Sequence, residues 1–253
     1  METTSEDLNQ STARFQELGY LVVPDFLSRR NAADLYSRFD SLDMITWEPG
    51  MEKTANERTL LYDHQFADVV IGTPFMDLLR QTIGDDYQLL AYQALEIGPK
   101  SGAAREWHID FHVLNPLILT VRVAIYLTDM TEEMGPLYVI PGSHRWGREP
   151  SAQERESELE GEIRVTVPAG TAVAFAGQLW HSASRNNSDR PRRALFPYCG
   201  HYWMKRLDEY YRVPLPTSIS GTNDQPMKQL FGVELSITSA HGASYRRGNK
   251  ALE

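Results

Sequence analysis

Cysteine is nearly missing: of 253 residues only Cys199 carries a thiol, which excludes an intrachain disulfide framework and any multi-cysteine zinc or iron–sulfur site. Any metal must be held by nitrogen and oxygen. Positive charge is in deficit too. With 25 Lys and Arg against 34 Asp and Glu, the net charge is −9, so no global field draws a phosphate backbone and nucleic acid is not an expected partner. No long hydrophobic run exists. The stretch LILTVRVAIYL (117–127) is too short to span a bilayer and contains Arg122. The first thirty residues have neither a basic region nor a continuous apolar stretch, which argues against a secretory leader. A cytoplasmic protein with no membrane partner is expected, and 42% hydrophobic content is enough for a substantial core.

What is present divides by period. LNQSTARFQELGYLVV (8–23) reads as a helix running into a strand, SRRNAADLYSRFDSL (28–42) as a helix capped by Ser28, and TPFMDLLRQTIG (73–84) as a helix with Pro74 in its first turn and Gly84 at its end. From Tyr87 the period changes to two. YQLLAYQALEI, EWHIDFHV, LILTVRVAIYLT, EIRVTV, TAVAFA and RALFPYC are strand-length runs separated by Gly, Pro, Asn and Asp. The charged segment 147–162, GREPSAQERESELEGE, reads as a solvated excursion. One domain is expected: a helical third (1–85) packed on a β core (86–200), with a tail (201–253) contributing to the pocket.

Within EWHIDFHV, alternation places His108, Asp110 and His112 on one face and Trp107, Ile109, Phe111 and Val113 on the other. Ligands two apart lie roughly 6.6 Å from each other along a strand, so His108 and Asp110 can lean onto one ion, whereas the two histidines are too far apart to share it. With seven His and fifteen Asp, chance alone supplies about 0.4 His-x-Asp pairs, so the motif needs a third ligand before it means anything. His144, His181, His201 and His241 are the downstream choices, and His181 is best placed, after the strand AVAFA. The reversal SASRNNSDRP then predicts a hairpin that returns Arg192 beside His181. Two His and one carboxylate suit iron with three open positions. A 2-oxo acid fills two of these and dioxygen one, while a guanidinium holds the acid's remote carboxylate.

In this order the motifs resemble the phytanoyl-CoA dioxygenase family: GYLVVPDFLS, WHID, LTDMTEEMGPLYVIPGSH (127–144) and HSASRNNSDRPRRALFPY. The resemblance covers roughly residues 14–200. It implies a mainly β fold with flanking helices, a double-stranded β-helix or cupin-like jelly roll. It implies Fe(II) on His108, Asp110 and His181, with 2-oxoglutarate as cosubstrate on Arg192 and O2 as oxidant. Relatives hold the keto acid with an amide or basic residue near Gln93 or Lys100. Many carry a serine two positions after the distal His, where this chain has Ala183. Halogenases of the family lack the carboxylate, so Asp110 points to oxygen chemistry.

His112, Arg122 and Trp107 are candidates for the substrate pocket, each set against a packing or ion-pair role. The expected reaction is hydroxylation of an unactivated C–H bond in a small organic substrate, releasing succinate and CO2. The same centre could instead serve desaturation, cyclisation or epimerisation in secondary metabolism. A non-catalytic jelly-roll binding protein is the rival of another class. A zinc hydrolase is disfavoured because no general base accompanies the ligands.

Overall fold

The computed structural model describes residues 5–46, 52–55, 57–204 and 215–233. The helices are α1 (Ser5–Leu18), α2 (Arg29–Arg38), α3 (Glu57–Tyr62), α4 (His64–Ile71), α5 (Thr73–Ile83), α6 (Ala152–Arg155), α7 (Thr217–Ser220) and α8 (Gln225–Leu230). The strands are β1 (Tyr20–Val23), β2 (Ile45–Thr46), β3 (Glu52–Ala55), β4 (Tyr87–Ile97), β5 (Thr120–Tyr126), β6 (Leu137–Val139), β7 (Ile163–Val165), β8 (Ala172–Ala176), β9 (His181–Ala183) and β10 (Arg192–His201).

Local chemistry sets the helix ends. The Ser28 hydroxyl accepts from the Asn31 amide and caps α2. Pro74 sits in the first turn of α5, and Gly84, at φ 82, ends it in a conformation that costs other residues strain. The long strands join in an antiparallel seven-stranded sheet of order β1-β8-β5-β10-β4-β3-β2. Three of its strands, β1, β2 and β3, come from the N-terminal third, which is therefore not purely helical. A small sheet of order β7-β6-β9 lies opposite, and the two make the jelly roll.

Alternation gives each long strand a packing face and a cavity face. On β5, Val121, Val123 and Ile125 are fully buried in the main core with Phe15, Phe66, Phe75 and Leu79 of α1, α4 and α5. Arg122 and Tyr126 face the other way, into the barrel. A second, smaller cluster of Trp107, Ile109, Tyr138, Ile140 and Trp180 backs the small sheet.

Three expectations need correction. EWHIDFHV is not a continuous strand. It bridges to β9 only at His108–His181, and the amides of Asp110 and Phe111 then both donate to the Gly177 carbonyl at 2.8 and 2.9 Å. Successive amides of a strand point to opposite sides, so this shared acceptor turns the chain and alternation ends at Asp110. Next, β9 and β10 do not form a hairpin. β9 pairs with β6 and β10 with β4 and β5, so residues 184–191 cross from one sheet to the other. Finally, the excursion 147–162 is partly ordered: Ser151 and Glu154 form a capping box on α6, and the segment braces the ligand strand, Trp107 N donating to Arg155 O at 2.8 Å and Trp107 Nε1 to Ser157 O at 2.9 Å.

Helix α8 seals one end of β4, with Leu230 and Phe231 in the main core and Gln229 Nε2 donating to the Tyr87 carbonyl at 3.3 Å. His241 and much of the tail lie outside the described residues. No helix among the described residues is long and apolar enough to cross a membrane.

Candidate metal centre

His108, Asp110 and His181 each direct a ligand atom to one point, all three atoms lying within 4.8 Å of one another. The antiparallel bridge between His108 and His181, with hydrogen bonds of 3.0 and 3.1 Å, sets the two imidazoles side by side at 4.2 Å between ring centroids. Gly177 makes the turn below them possible. A Cβ there would overlap Thr120 Oγ1 and lie 2.8 Å from the Phe111 Cβ.

Protonation suits coordination. His108 Nδ1 lies 3.0 Å from the Glu106 carbonyl and His181 Nδ1 3.0 Å from that of Leu179. A carbonyl only accepts, so each Nδ1 carries a proton, which leaves Nε2 as the ligand atom of each ring. Burial pushes the His181 pKa down to about 4 against the opposing pull of Asp110, so the ring is neutral near pH 7 and its 3.7 Å approach to Asp110 Oδ2 is not an ion pair. Burial raises the Asp110 pKa, but His181, Arg122 and His108 outweigh it and leave it below the usual value. The carboxylate is therefore ionised.

Asp110 Oδ2 is buried without a hydrogen-bond partner, and so is Arg122 Nε, although the two lie only 2.6 Å apart. Their proximity is electrostatic, with the N–H not aimed at the oxygen. The Arg122 guanidinium already meets this carboxylate as an ion pair, so what fits the residues to a further cation is the convergence of the three ligand atoms within 4.8 Å of one another. Two imidazoles and one carboxylate, beside an open cavity, are the ligand set suited to non-haem Fe(II).

The cluster lies in a cavity of about 380 Å³. Across it, Arg192 Nη1 donates to the carbonyls of Met134 at 3.3 Å, Ser184 at 3.2 Å and Gly135, which pins the guanidinium to the wall. Arg193 faces the opposite way, bound to Asp40 and Glu96 at 2.5 and 2.6 Å. Of these two arginines, only Arg192 faces the cavity.

Gln93 and Arg122 also line the cavity. Three other expected site residues do not. Lys100 Nζ donates to the Asn187 carbonyl at 2.6 Å and pairs with Asp189 at 3.2 Å, so it ties down the crossover loop. His112, beyond the turn that ends the alternation, pairs with Glu149 at 2.8 Å on the surface. Trp107 is fully buried on the reverse side of the ligand strand. His144, the alternative third ligand, is buried near the Gln16 carbonyl of α1 and away from the cluster, and His201 stacks on Trp203.

Sequence reasoning did not single out Phe175, whose ring centroid lies 4.6 Å from that of His181, nor Tyr126 and Glu106, all three in the cavity wall. Tyr126 carried a signal: it shares a strand face with Arg122. Phe175 lies in the fully buried run AVAFA, where periodicity says nothing about which side faces a ligand.

Comparison with known proteins agrees with this geometry. The family model described as phytanoyl-CoA dioxygenase (PhyH) matches residues 15–194. L-proline trans-4-hydroxylase of Streptomyces griseoviridis is 30% identical over 234 residues, 76% of this chain and 86% of that protein. The fold is shared with HygX from Streptomyces hygroscopicus, solved with nickel and 2-oxoglutarate bound, at TM-score 0.68 and 18% identity, over 79% of this chain and 89% of that one. It is also shared with the epimerase SnoN, solved with Fe3+, alpha ketoglutarate and a nogalamycin compound, at TM-score 0.67 and 17% identity, over 88% and 94%.

Proposed function

Since the chain belongs to the phytanoyl-CoA dioxygenase family, we propose that His108, Asp110 and His181 hold Fe(II), that Arg192 binds the remote carboxylate of 2-oxoglutarate, and that the enzyme hydroxylates an unactivated C–H bond of a small organic molecule. The protein is an Fe(II)- and 2-oxoglutarate-dependent dioxygenase. Held at these ligands, the iron would supply the activation of O2, of which one atom would end in succinate, released with CO2 from 2-oxoglutarate, and the other in the hydroxyl of the substrate.

The chain's own residues divide this work. His108, Asp110 and His181 would hold the ion from the wall of the cavity. Asp110 would bring negative charge to the metal while also pairing with Arg122 at 2.6 Å, which holds the carboxylate in place. Arg192 fixes the far end of the keto acid, and Gln93 on β4 offers an amide to the same cavity. Phe175 and Leu137 keep bulk water from the centre with apolar walls.

The observation that carries this reading is the convergence of His108, Asp110 and His181 ligand atoms within 4.8 Å of one another, in a cavity that ends at Arg192. At about 380 Å³ the cavity is near the small end of ligand pockets, roughly 300–1,000 Å³, and the cosubstrate takes part of it. The remaining room suits a compact substrate, with most of a CoA carrier left outside. Relatives named L-proline trans-4-hydroxylase and ectoine dioxygenase make cyclic amino acids the first class to try.

The test is succinate release with Fe(II) and 2-oxoglutarate across amino acids, ectoine-like compounds, acyl-CoAs and small secondary metabolites, with mass analysis of any product. A gain of one oxygen is expected. Loss of two hydrogens, or an unchanged mass with inverted stereochemistry, would reassign the outcome to desaturation, cyclisation or epimerisation. No succinate under any condition would favour a binding protein.

A further inference from the structure

Building on the assignment of the cavity to a metal ion and 2-oxoglutarate, we infer that Arg122 also binds the substrate, and that what it takes is the carboxylate of a small organic anion. Two arginines line the cavity, Arg122 and Arg192, and strand register sets them at opposite ends. Arg122 on β5 is directly opposite Tyr198 on β10, six residues and roughly 20 Å along the strand from Arg192. A carboxylate at Arg122 is therefore separate from the remote carboxylate of the cosubstrate at Arg192.

The Arg122 guanidinium is held in place with donors to spare. Its Nε lies 2.6 Å from Asp110 Oδ2, and its Cζ stands over the Tyr198 ring at 4.9 Å from the centroid, the Tyr198 hydroxyl being fixed on Thr120 Oγ1 at 3.0 Å. Stacking engages the face of the cation and leaves its in-plane N–H groups for a ligand. Among the described residues Arg122 has no polar partner besides Asp110, whereas Arg192 is tied to three carbonyls. Arg122 Nε is buried, so the 25% of the side chain that stays exposed belongs to its other atoms. Such a fork matches a carboxylate with two parallel donors. Charge gives a second reason. A divalent ion, Arg122 and Arg192 bring four positive charges into the cavity, against three negative from Asp110 and 2-oxoglutarate. Glu106, the other carboxylate of the wall, is 60% exposed and shared with Arg155 at 3.3 Å, so it offsets little. One positive charge is left over in poorly solvated surroundings, which is costly. A substrate with a single carboxylate cancels it at the guanidinium beside the ion.

Calorimetric titration of the full chain loaded with Mn(II) and 2-oxoglutarate tests the inference without turnover. The probes are L-proline, pipecolate, cyclopentanecarboxylate and benzoate, each matched with its primary amide, which has the same shape and no negative charge. In wild-type protein the acids that bind should do so about tenfold or more tighter than their amides, the size expected of hydrogen bonding between charged groups. Arg122→Gln should remove that preference, and Arg122→Lys, which keeps the charge and loses the fork, should retain part of it. A loss shared equally by acid and amide in Arg122→Gln would mean that Arg122 acts only through Asp110, and would overturn the inference. So would an amide bound as tightly as its acid in wild-type protein, a preference that survives Arg122→Gln, or binding of none of the acids. Wild-type protein that takes up neither Mn(II) nor 2-oxoglutarate would sink the metal-centre reading itself; uptake of both without a preference for acids removes only the role of Arg122.

Discussion

Asp110 is the residue on which the chemistry turns, because it is the one carboxylate among the three convergent ligands and its charge is held by His181 and Arg122 rather than by solvent. Asp110→Ala removes one ligand of three, and iron-dependent succinate formation should fall by more than about a hundredfold, since even outer-shell changes cost 10–100-fold. Far-UV circular dichroism should stay near wild type. Turnover persisting in this variant would refute the ligand set. Arg192 and Arg193 offer a paired test, adjacent in sequence but on opposite faces of β10. Arg192→Ala should raise the 2-oxoglutarate requirement on the order of a hundredfold with little change in melting temperature. Arg193→Ala leaves the buried Glu96 carboxylate with Lys53 at 3.1 Å in place of two partners and should cost about 1.5–3 kcal/mol of stability, read by denaturant unfolding. The opposite pattern would mean that β10 is out of register by one residue.

Among the elements, the crossover from β9 to β10 matters most, since it carries one wall of the cavity from the small sheet to the large one. Asn186 holds it. The side chain is fully buried, its Nδ2 donating to the carbonyls of Ile97, Gly98 and Arg190 at 3.3, 3.0 and 2.7 Å, while its Oδ1 accepts from the Ser188 amide at 3.0 Å and hydroxyl at 2.7 Å. Asn186→Ala would remove one donor from each of three carbonyls, of which that of Arg190 keeps the Ser188 hydroxyl at 3.0 Å, and the acceptor of the Ser188 amide, and should lower stability by about 2–3 kcal/mol. Arg192, at the far end of the same crossover, should lose cosubstrate affinity with it. Stability within a few tenths of a kcal/mol of wild type in urea unfolding would remove Asn186 from this role. The excursion around α6 acts similarly on the other side, bracing Trp107 so that His108 and Asp110 project into the cavity.

Over the whole molecule, the buried centre couples folding to pH. His181 has an ordinary pKa of 6.5 and a folded value of about 4, so the unfolded chain binds more protons between these values. The metal-free protein should be fully stabilised by this group above about pH 6.5 and lose that contribution as pH falls toward 4. Asp110, also held below its ordinary value, acts in the same sense at lower pH. Melting temperatures of chelator-treated protein should drop over this range, and His181→Asn should flatten the upper part of the slope. A slope unaffected by that substitution would place the linkage in another group.

Much of this was legible in the sequence because it is local. Ser28, Pro74 and Gly84 mark helix ends through their own backbone and side-chain chemistry, β4 alternates from Ala91 to Ile97 beyond an irregularity at Leu90 that the sequence did not mark, and two ligands two residues apart can only share an ion from one face. The iron, nitrogen and oxygen chemistry follows from residue types together with the scarcity of cysteine. What only the tertiary structure decided is non-local. His112, Lys100 and Trp107 leave the cavity because a shared Gly177 carbonyl turns the chain, a crossover loop needs Lys100, and a second core takes Trp107. The short strands β6 and β9 have too few residues to show a period. Tyr126 and Phe175 enter the cavity wall because sheet register chooses which residues of distant segments face one another, and no single segment encodes that choice.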